Sequence, residues 1–242
     1  MRGPDVTVVI PVYNEERFLG RTLDALSRVG GKVELIVVDG QSSDGTVGIA
    51  SAAGARILSA DRGRGSQLHA GASAASAPVL WFLHADTTVP PGAVDAMLES
   101  LQTPRVAGGN FRLRFDGDSR GARQLTAIYP KLRALGLCYG DSGIFVRRSV
   151  YDEVGGFQPY PIFEDLDLVR KIKGRGRFVQ LNSCLLTSSR RFEARNFAGM
   201  FAHWSALQVL YWMGVSPFRL GRWYAPKPTV SATTTPRPAF RD

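Results

Sequence analysis

Near the start of the chain, three apolar, β-branched runs each end in an acid. Val6 to Val12 closes in Pro11-Val12-Tyr13-Asn14-Glu15, Val33 to Asp39 in Asp39-Gly40, and Val79 to His84 in His84-Ala85-Asp86. One Asp at a strand end is ordinary, because Asp caps a following helix well. Three acids at successive strand ends converge on one edge and form a polar cluster. Arg62-Gly63-Arg64-Gly65 precedes a helical stretch, where Gly-rich backbone and a helix N-terminus suit an anion. Arg190-Arg191 supplies a second pair of cations. Glu164, Asp165 and Asp167 open another helix, a place where acids are favoured by the helix dipole alone. Gly140-Asp141-Ser142-Gly143 has the make-up of a tight turn. Acids on one sheet edge with arginines beside them suit a phosphorylated ligand.

The elements that must carry these residues alternate. After the first strand, Glu15 to Arg28 reads as a helix with Phe18, Leu19, Leu23 and Leu26 on one face. Ser43-Asp44-Gly45-Thr46 opens the next helix, Gly54 closes it, and Ala55 to Ser59 is a third strand. A helix over Gly65 to Ala75 leads to the strand Val79 to His84, and Pro90-Pro91 introduces a helix to Leu101. Strands spaced by crossover helices predict an α/β fold with a single doubly wound, mostly parallel sheet flanked by helices. Ligands of such sheets bind beyond the carboxyl ends of the strands, which is where the acids stand. The second half is less regular. Strands are expected over Gly109 to Phe115, Gly143 to Arg147 and Phe178 to Thr187, and helices over Arg120 to Leu135 and Glu164 to Lys173. An amphipathic C-terminal helical segment from Arg195 to Gly214 follows. These boundaries predict one domain over 1–225, with a nucleotide-binding half at 6–105 and an acceptor and catalytic half at 106–225. The Pro- and Thr-rich stretch 226–242 reads as a disordered tail.

The 242 residues carry a formal charge of +9, which favours anionic partners such as nucleotides and phosphorylated substrates. No basic helix with base-reading residues is present, so nucleic acid is disfavoured. Cys138 and Cys184 lie far apart without ligand spacing and read as reduced thiols. No apolar h-region precedes Val6 and no run reaches the ~18 to 20 residues of a membrane span, so the expected location is cytoplasmic. Trp204, Tyr211, Trp212 and Trp223 stand among Arg219 and Arg222. Aromatics beside arginines suit packing against the sheet, a homodimer contact, a peripheral contact at the inner membrane face through 197–224, or a wall of the acceptor site.

Val9-Ile10-Pro11-Val12-Tyr13-Asn14-Glu15-Glu16 and Val37-Val38-Asp39-Gly40-Gln41-Ser42-Ser43-Asp44-Gly45-Thr46 together resemble the opening of family-2 glycosyltransferases with the GT-A fold. Phe82-Leu83-His84-Ala85-Asp86-Thr87 sits where that family keeps its D-x-D metal motif, and Phe163-Glu164-Asp165 is similar to its E-D catalytic motif. The resemblance covers about residues 6 to 192. The short chain, the H-A-D variant and Gly214-Val215-Ser216-Pro217-Phe218-Arg219 also resemble a subgroup found beside radical-SAM enzymes and associated with arsenosugar biosynthesis.

The resemblance implies an inverting, metal-dependent transfer of a sugar from a nucleotide diphosphate donor, with UDP favoured, to a small or lipid-linked acceptor. Pro11, Tyr13, Glu15 and Asp39 would shape the base and ribose pocket, with the Asp39 carboxylate accepting from a ring N–H. Ala85 and Asp86 would face the donor, and Asp86 would ligate Mn²⁺ or Mg²⁺, which neutralises the leaving diphosphate. His84 replaces the family's first Asp; imidazole tolerates Mn²⁺ better than Mg²⁺, so His84 either ligates or faces a phosphate. Asp165, with Glu164 beside it, would take the acceptor's proton. Arg64 and Arg191 would hold the diphosphate, and Asp141 would stand on the acceptor side. Ser188 and Phe192 replace the Gln and Trp of the processive Q-x-x-R-W motif, which predicts non-processive transfer. A nucleotidyltransferase and a nucleotide-sugar binder without turnover are the competing readings. The first lacks a Lys-bearing glycine loop after the first strand; the second would draw on the His84 replacement.

Overall fold

The computed structural model describes residues 3–117, 119–190 and 197–224. Eight strands form one sheet in the order β3-β2-β1-β4-β7-β6-β8-β5. They are β1 (Val6–Val12), β2 (Val33–Asp39), β3 (Arg56–Ser59), β4 (Val79–Phe82), β5 (Thr87–Thr88), β6 (Val106–Phe115), β7 (Phe145–Arg147) and β8 (Arg177–Thr187). Pairing is parallel through β3, β2, β1 and β4, and again between β6 and β8. Antiparallel pairing enters at β7 and at β5. The first half is therefore the doubly wound unit that the alternating pattern predicts. The second half is mixed, because short β7 and β5 enter as antiparallel partners.

Period-two alternation divides the apolar residues between two cores, one on each face of the sheet. Val6, Val8, Ile10 and Val12 of β1 join one core with Trp81, Phe111, Phe145 and Met97, while Val9 joins Ile36, Val38, Leu80 and Phe82 on the other. Burial on both faces explains why these strands read as continuous hydrophobic runs. Helices α1 (Leu19–Leu26) and α4 (Ala93–Ser100) cover the first face. Helices α3 (Arg64–Ala74), α6 (Arg148–Glu153) and α7 (Glu164–Lys173) cover the second, and α2 (Thr46–Ala52) lies beside α1. Helix α3 packs closely on β1 and β2: a Cβ at Gly71 would come within 2.3 Å of Val9 Cγ1.

Helix α1 is shorter than the expected Glu15 to Arg28. Glu16 is used to tie the loop after β1 to the loop after β2, its Oε2 accepting from Gly45 N–H at 2.8 Å. Helix α5 (Arg120–Ala134) is capped by Ser119, whose Oγ accepts from Ala122 N–H at 3.1 Å. Helices α8 (Phe197–Trp212) and α9 (Pro217–Gly221) lie in the C-terminal part. Helix α8 departs from the expected amphipathic pattern. It buries Leu207 and Gln208 but leaves Val209 and Trp212 exposed, since aromatic and aliphatic residues occur on all its faces. Among the described residues no helix is long and apolar enough to cross a membrane. Cys138 and Cys184 are free thiols, as their spacing predicts. The expected tail, 226–242, lies outside the described residues.

Candidate active site

A cleft of about 380 Å³ opens at the carboxyl ends of the strands. His84, Asp86, Asp141, Asp165, Arg64 and Arg190 line its polar end. Asp86 reaches it because β5, which follows at once, pairs antiparallel with the end of β8 (Thr87 with Thr187, Thr88 with Leu186). That register carries Arg190 to Asp86. The Arg190 guanidinium donates to both Glu15 oxygens at 2.8 Å, lies 3.0 Å from Asp86 Oδ2, and covers the Phe18 ring at 4.4 Å. Sequence reasoning named Arg191 for the site, and that residue lies outside the described residues. Its neighbour Arg190 lines the cleft, as Arg64 does.

Asp165 stands in the first turn of α7, just after Phe163, a non-glycine residue at φ +64°. Asn14 (φ +52°) and Gln41 (φ +68°), in the loops after β1 and β2, share this uncommon conformation. Such residues persist where the surroundings over-determine them, and all three flank predicted ligand-binding residues. Asp165 Oδ2 accepts from Gly140 N–H at 2.6 Å. A Cβ at Gly140 would lie 3.3 Å from both Asp165 Oδ2 and His84 Nε2, so a bare backbone separates carboxylate and imidazole. Burial and the neighbouring Glu164 carboxylate push the Asp165 carboxyl up to about 6, against the opposing pull of Arg64. Glu164 itself is 1% exposed, and its carboxylate engages Arg64 rather than lining the cleft. Asp141 sits in a short turn, Gly140–Ser142, held from two sides. Tyr129 OH donates to Asp141 Oδ1 at 2.9 Å, and Asn110 Nδ2 donates to Ser142 Oγ at 2.9 Å.

The remaining predicted residues gather around the ends of β1 and β2. The Asp39 carboxylate accepts from Ser42 N–H at 3.1 Å, fixing the turn after β2. Tyr13 lies beneath the Arg62 guanidinium, 3.8 Å from ring centroid to Cζ. Pro11 pairs in register with Val38. Glu15 is bound to Arg190, and Ala85 is buried, its carbonyl accepting from Thr22 Oγ1 at 2.7 Å. Sequence reasoning missed Gln67, which ties this region together. Its Nε2 donates to Val12 O at 2.9 Å and Val38 O at 2.8 Å, and its Oε1 accepts from Gly63 N–H at 3.3 Å.

A cation against Asp86, even one supplied by the chain, tests the metal-site expectation. The donors present are one carboxylate, one imidazole and open cleft, which fit a hard or borderline cation that keeps water or phosphate oxygens as its other ligands. Among the described residues, no group of three or more His, Cys, Asp or Glu side chains is arranged to hold a metal.

Residues 7–155 match the sequence model of glycosyl transferase family 2. The chain belongs to this family. An uncharacterized glycosyltransferase of Nostoc sp. is 27% identical over 174 residues, 64% of this chain and 54% of that one. An undecaprenyl-phosphate 4-deoxy-4-formamido-L-arabinose transferase of Sodalis glossinidius is 30% identical over 162 residues, 61% of this chain and 49% of that protein. This family-2 chain spans about half the length of these curated relatives. Its fold is the GT-A fold of solved neighbours. Glucosyl-3-phosphoglycerate synthase of Mycobacterium tuberculosis, in complex with Mn²⁺, UDP and glucosyl-3-phosphoglycerate, superposes with a TM-score of 0.64 at 23% identity, covering 88% of this chain and 81% of that one. A mannosyltransferase of Pyrobaculum calidifontis, with GDP-mannose and Mn²⁺, gives 0.68 at 19% identity, covering 94% and 67%.

Proposed function

We propose that this family-2 protein transfers a sugar, with inversion and without processive elongation, from a nucleoside diphosphate donor to a hydroxyl of a small or lipid-linked acceptor. The observation that carries the reading is Asp165: a buried carboxyl on the cleft wall, beside His84 across Gly140 and held by a backbone N–H. Asp39, Tyr13 and Pro11 form the base and ribose side, with Gln67 fixing the distance between their loops. Arg64, oriented by Glu164, and Arg190 face the diphosphate. Asp86, with His84, would hold Mn²⁺ or Mg²⁺, which supplies positive charge to the departing diphosphate. Neighbours solved with Mn²⁺ and either UDP or GDP-mannose support metal and nucleotide use, and UDP is the favoured nucleotide.

The acceptor oxygen attacks the anomeric carbon from the face opposite the diphosphate. The new C–O bond forms as the bond to the diphosphate oxygen breaks, and the oxygen's proton passes to Asp165. At pH 7 Asp165 is mostly ionised and still basic enough to accept it, which is the use of a pKa near 6. The domain proposed to do this is 1–225, with the nucleotide on 6–105 and the acceptor on 106–225.

Thermal unfolding with UDP, GDP, CDP and dTDP, each with and without Mn²⁺, tests the donor half of the reading. A nucleotide at 100 times its Kd stabilises by about 2.7 kcal/mol, a rise in Tm of roughly 5 to 11 °C for a domain of this size. A metal-dependent rise with one nucleoside diphosphate, followed by metal-dependent release of that nucleotide from its sugar donor, is the expected result. Nucleotide binding without release, even with acceptors supplied, would favour a binder without turnover.

A further inference from the structure

Beyond its acidic end, the cleft is walled by hydrocarbon. Leu125 and Leu132 of α5, Leu137 after it, and Trp204, Val209 and Trp212 of α8 line it. Two pairs of its polar side chains bond each other: Tyr129 donates to Asp141, and Tyr139 OH donates to Gln208 Oε1 at 3.1 Å. Gln208 is buried, and among the described residues its Nε2 has no hydrogen-bond partner. A wholly polar acceptor would lose water along this wall and regain few hydrogen bonds, which is costly. The wall also continues onto the surface. Val209 is 48% exposed and Trp212 62%, and Met213, Phe218 and Trp223 are exposed beyond them with Arg219 and Arg222.

We infer that the acceptor is a lipid: an oxygen-bearing head held at Asp165, and a long apolar chain lying between α5 and α8 and leaving past Val209 and Trp212. The inference rests on the transfer reading of Asp165, and it selects among acceptors within it. The trough opens at an apolar, arginine-bearing rim, which suits a chain drawn from an anionic bilayer surface.

The test is isothermal titration of the full chain with n-alkyl β-D-glucosides carrying four to ten carbons, below their critical micelle concentrations, with UDP and Mn²⁺ present. Each methylene buried in the trough is expected to tighten binding by up to about fourfold, the equivalent of about 0.8 kcal/mol. Val209→Asp should flatten that dependence by placing a charge at the mouth. An affinity independent of chain length overturns the inference, and so does a dependence that Val209→Asp leaves intact. Self-association that consumes the rim, seen by sedimentation together with a flat series, would assign the trough to a second copy instead. The UDP-dependent rise in Tm on the same protein reads the donor site separately. A chain-length dependence without that rise would keep the lipid occupant and sink the transfer reading.

Discussion

A carboxylate is a poor base at its ordinary pKa and a useful one when burial lifts it. Asp165 is lifted to about 6 by burial first and by Glu164 second, with Arg64 pulling the other way. If its ionised form takes the acceptor proton, kcat/KM should fall tenfold per pH unit below about 6 and level off above it. Asp165→Asn should lower transfer by about 10²- to 10⁴-fold while the nucleotide-induced rise in Tm survives; turnover retained within a factor of ten would remove Asp165 from the mechanism. Arg190 makes a second residue-scale case. It is 17% exposed and neutralises Glu15 and Asp86 together, so Arg190→Leu leaves two largely buried carboxylates without their cation. The cost should be roughly 2 to 4 kcal/mol, below the ~3 to 5 kcal/mol of a fully buried broken pair because some exposure remains. Calorimetry with added Mn²⁺ checks the link to metal: the variant should regain more stability from the ion than the native protein gains.

Elements decide which of these residues meet, and here the sequence was unevenly legible. The acids after β1, β2 and β4 could be read because each ends an apolar run of the parallel β3-β2-β1-β4 unit, and a parallel sheet fixes the edge they share. The Asp165 position was readable from its motif at a helix start. Arg190 was not separable from Arg191, because its contact with Glu15 crosses 175 residues and depends on the β5–β8 register, which two residues of strand cannot announce. Gln67 was missed for a related reason: a polar residue on a helix face gives no periodic signal that it will reach two strand ends. Its role supports a prediction at this scale. Gln67→Leu keeps the volume but removes bonds to Val12 O, Val38 O and Gly63 N–H, so the loops that carry Tyr13 and Asp39 lose their common tie. Losing buried partners costs about 1 to 3 kcal/mol each, lessened here because Val12 O keeps its bond from Gly40 N–H at 2.9 Å. Donor KM should rise severalfold with kcat nearly unchanged. An effect on kcat alone would place Gln67 with the chemistry rather than the donor loops.

Across the whole molecule, the site is where consistency between levels is given up. Two cores on the faces of the sheet are apolar and close-packed, whereas the cleft holds buried acids, and three non-glycine residues at positive φ stand in the loops around it. The sequence conveyed the first pattern by periodicity. It conveyed the second only as residue types at strand ends, because neither burial nor electrostatic coupling has a local signature. This imbalance should be measurable as global stability. An acid whose pKa rises on folding binds its proton more tightly in the native state, so the native state is favoured most when the acid is protonated. For Asp165 that contribution is complete below about 3.8, its ordinary value, and is lost as pH rises to about 6. Two pKa units correspond to a loss on the order of 3 kcal/mol. Asn at 165 cannot ionise, and its Oδ1 can still accept from Gly140 N–H. Urea denaturation of both proteins from pH 4 to 8 should therefore show the Asp165→Asn protein gaining on the native one between pH 4 and 6, with a constant advantage above. That advantage at pH 7 amounts to several degrees in Tm for a domain of this size. A difference independent of pH would mean that Asp165 carries no cost of buried charge, and its fitness as the base would have to come from the bound substrates.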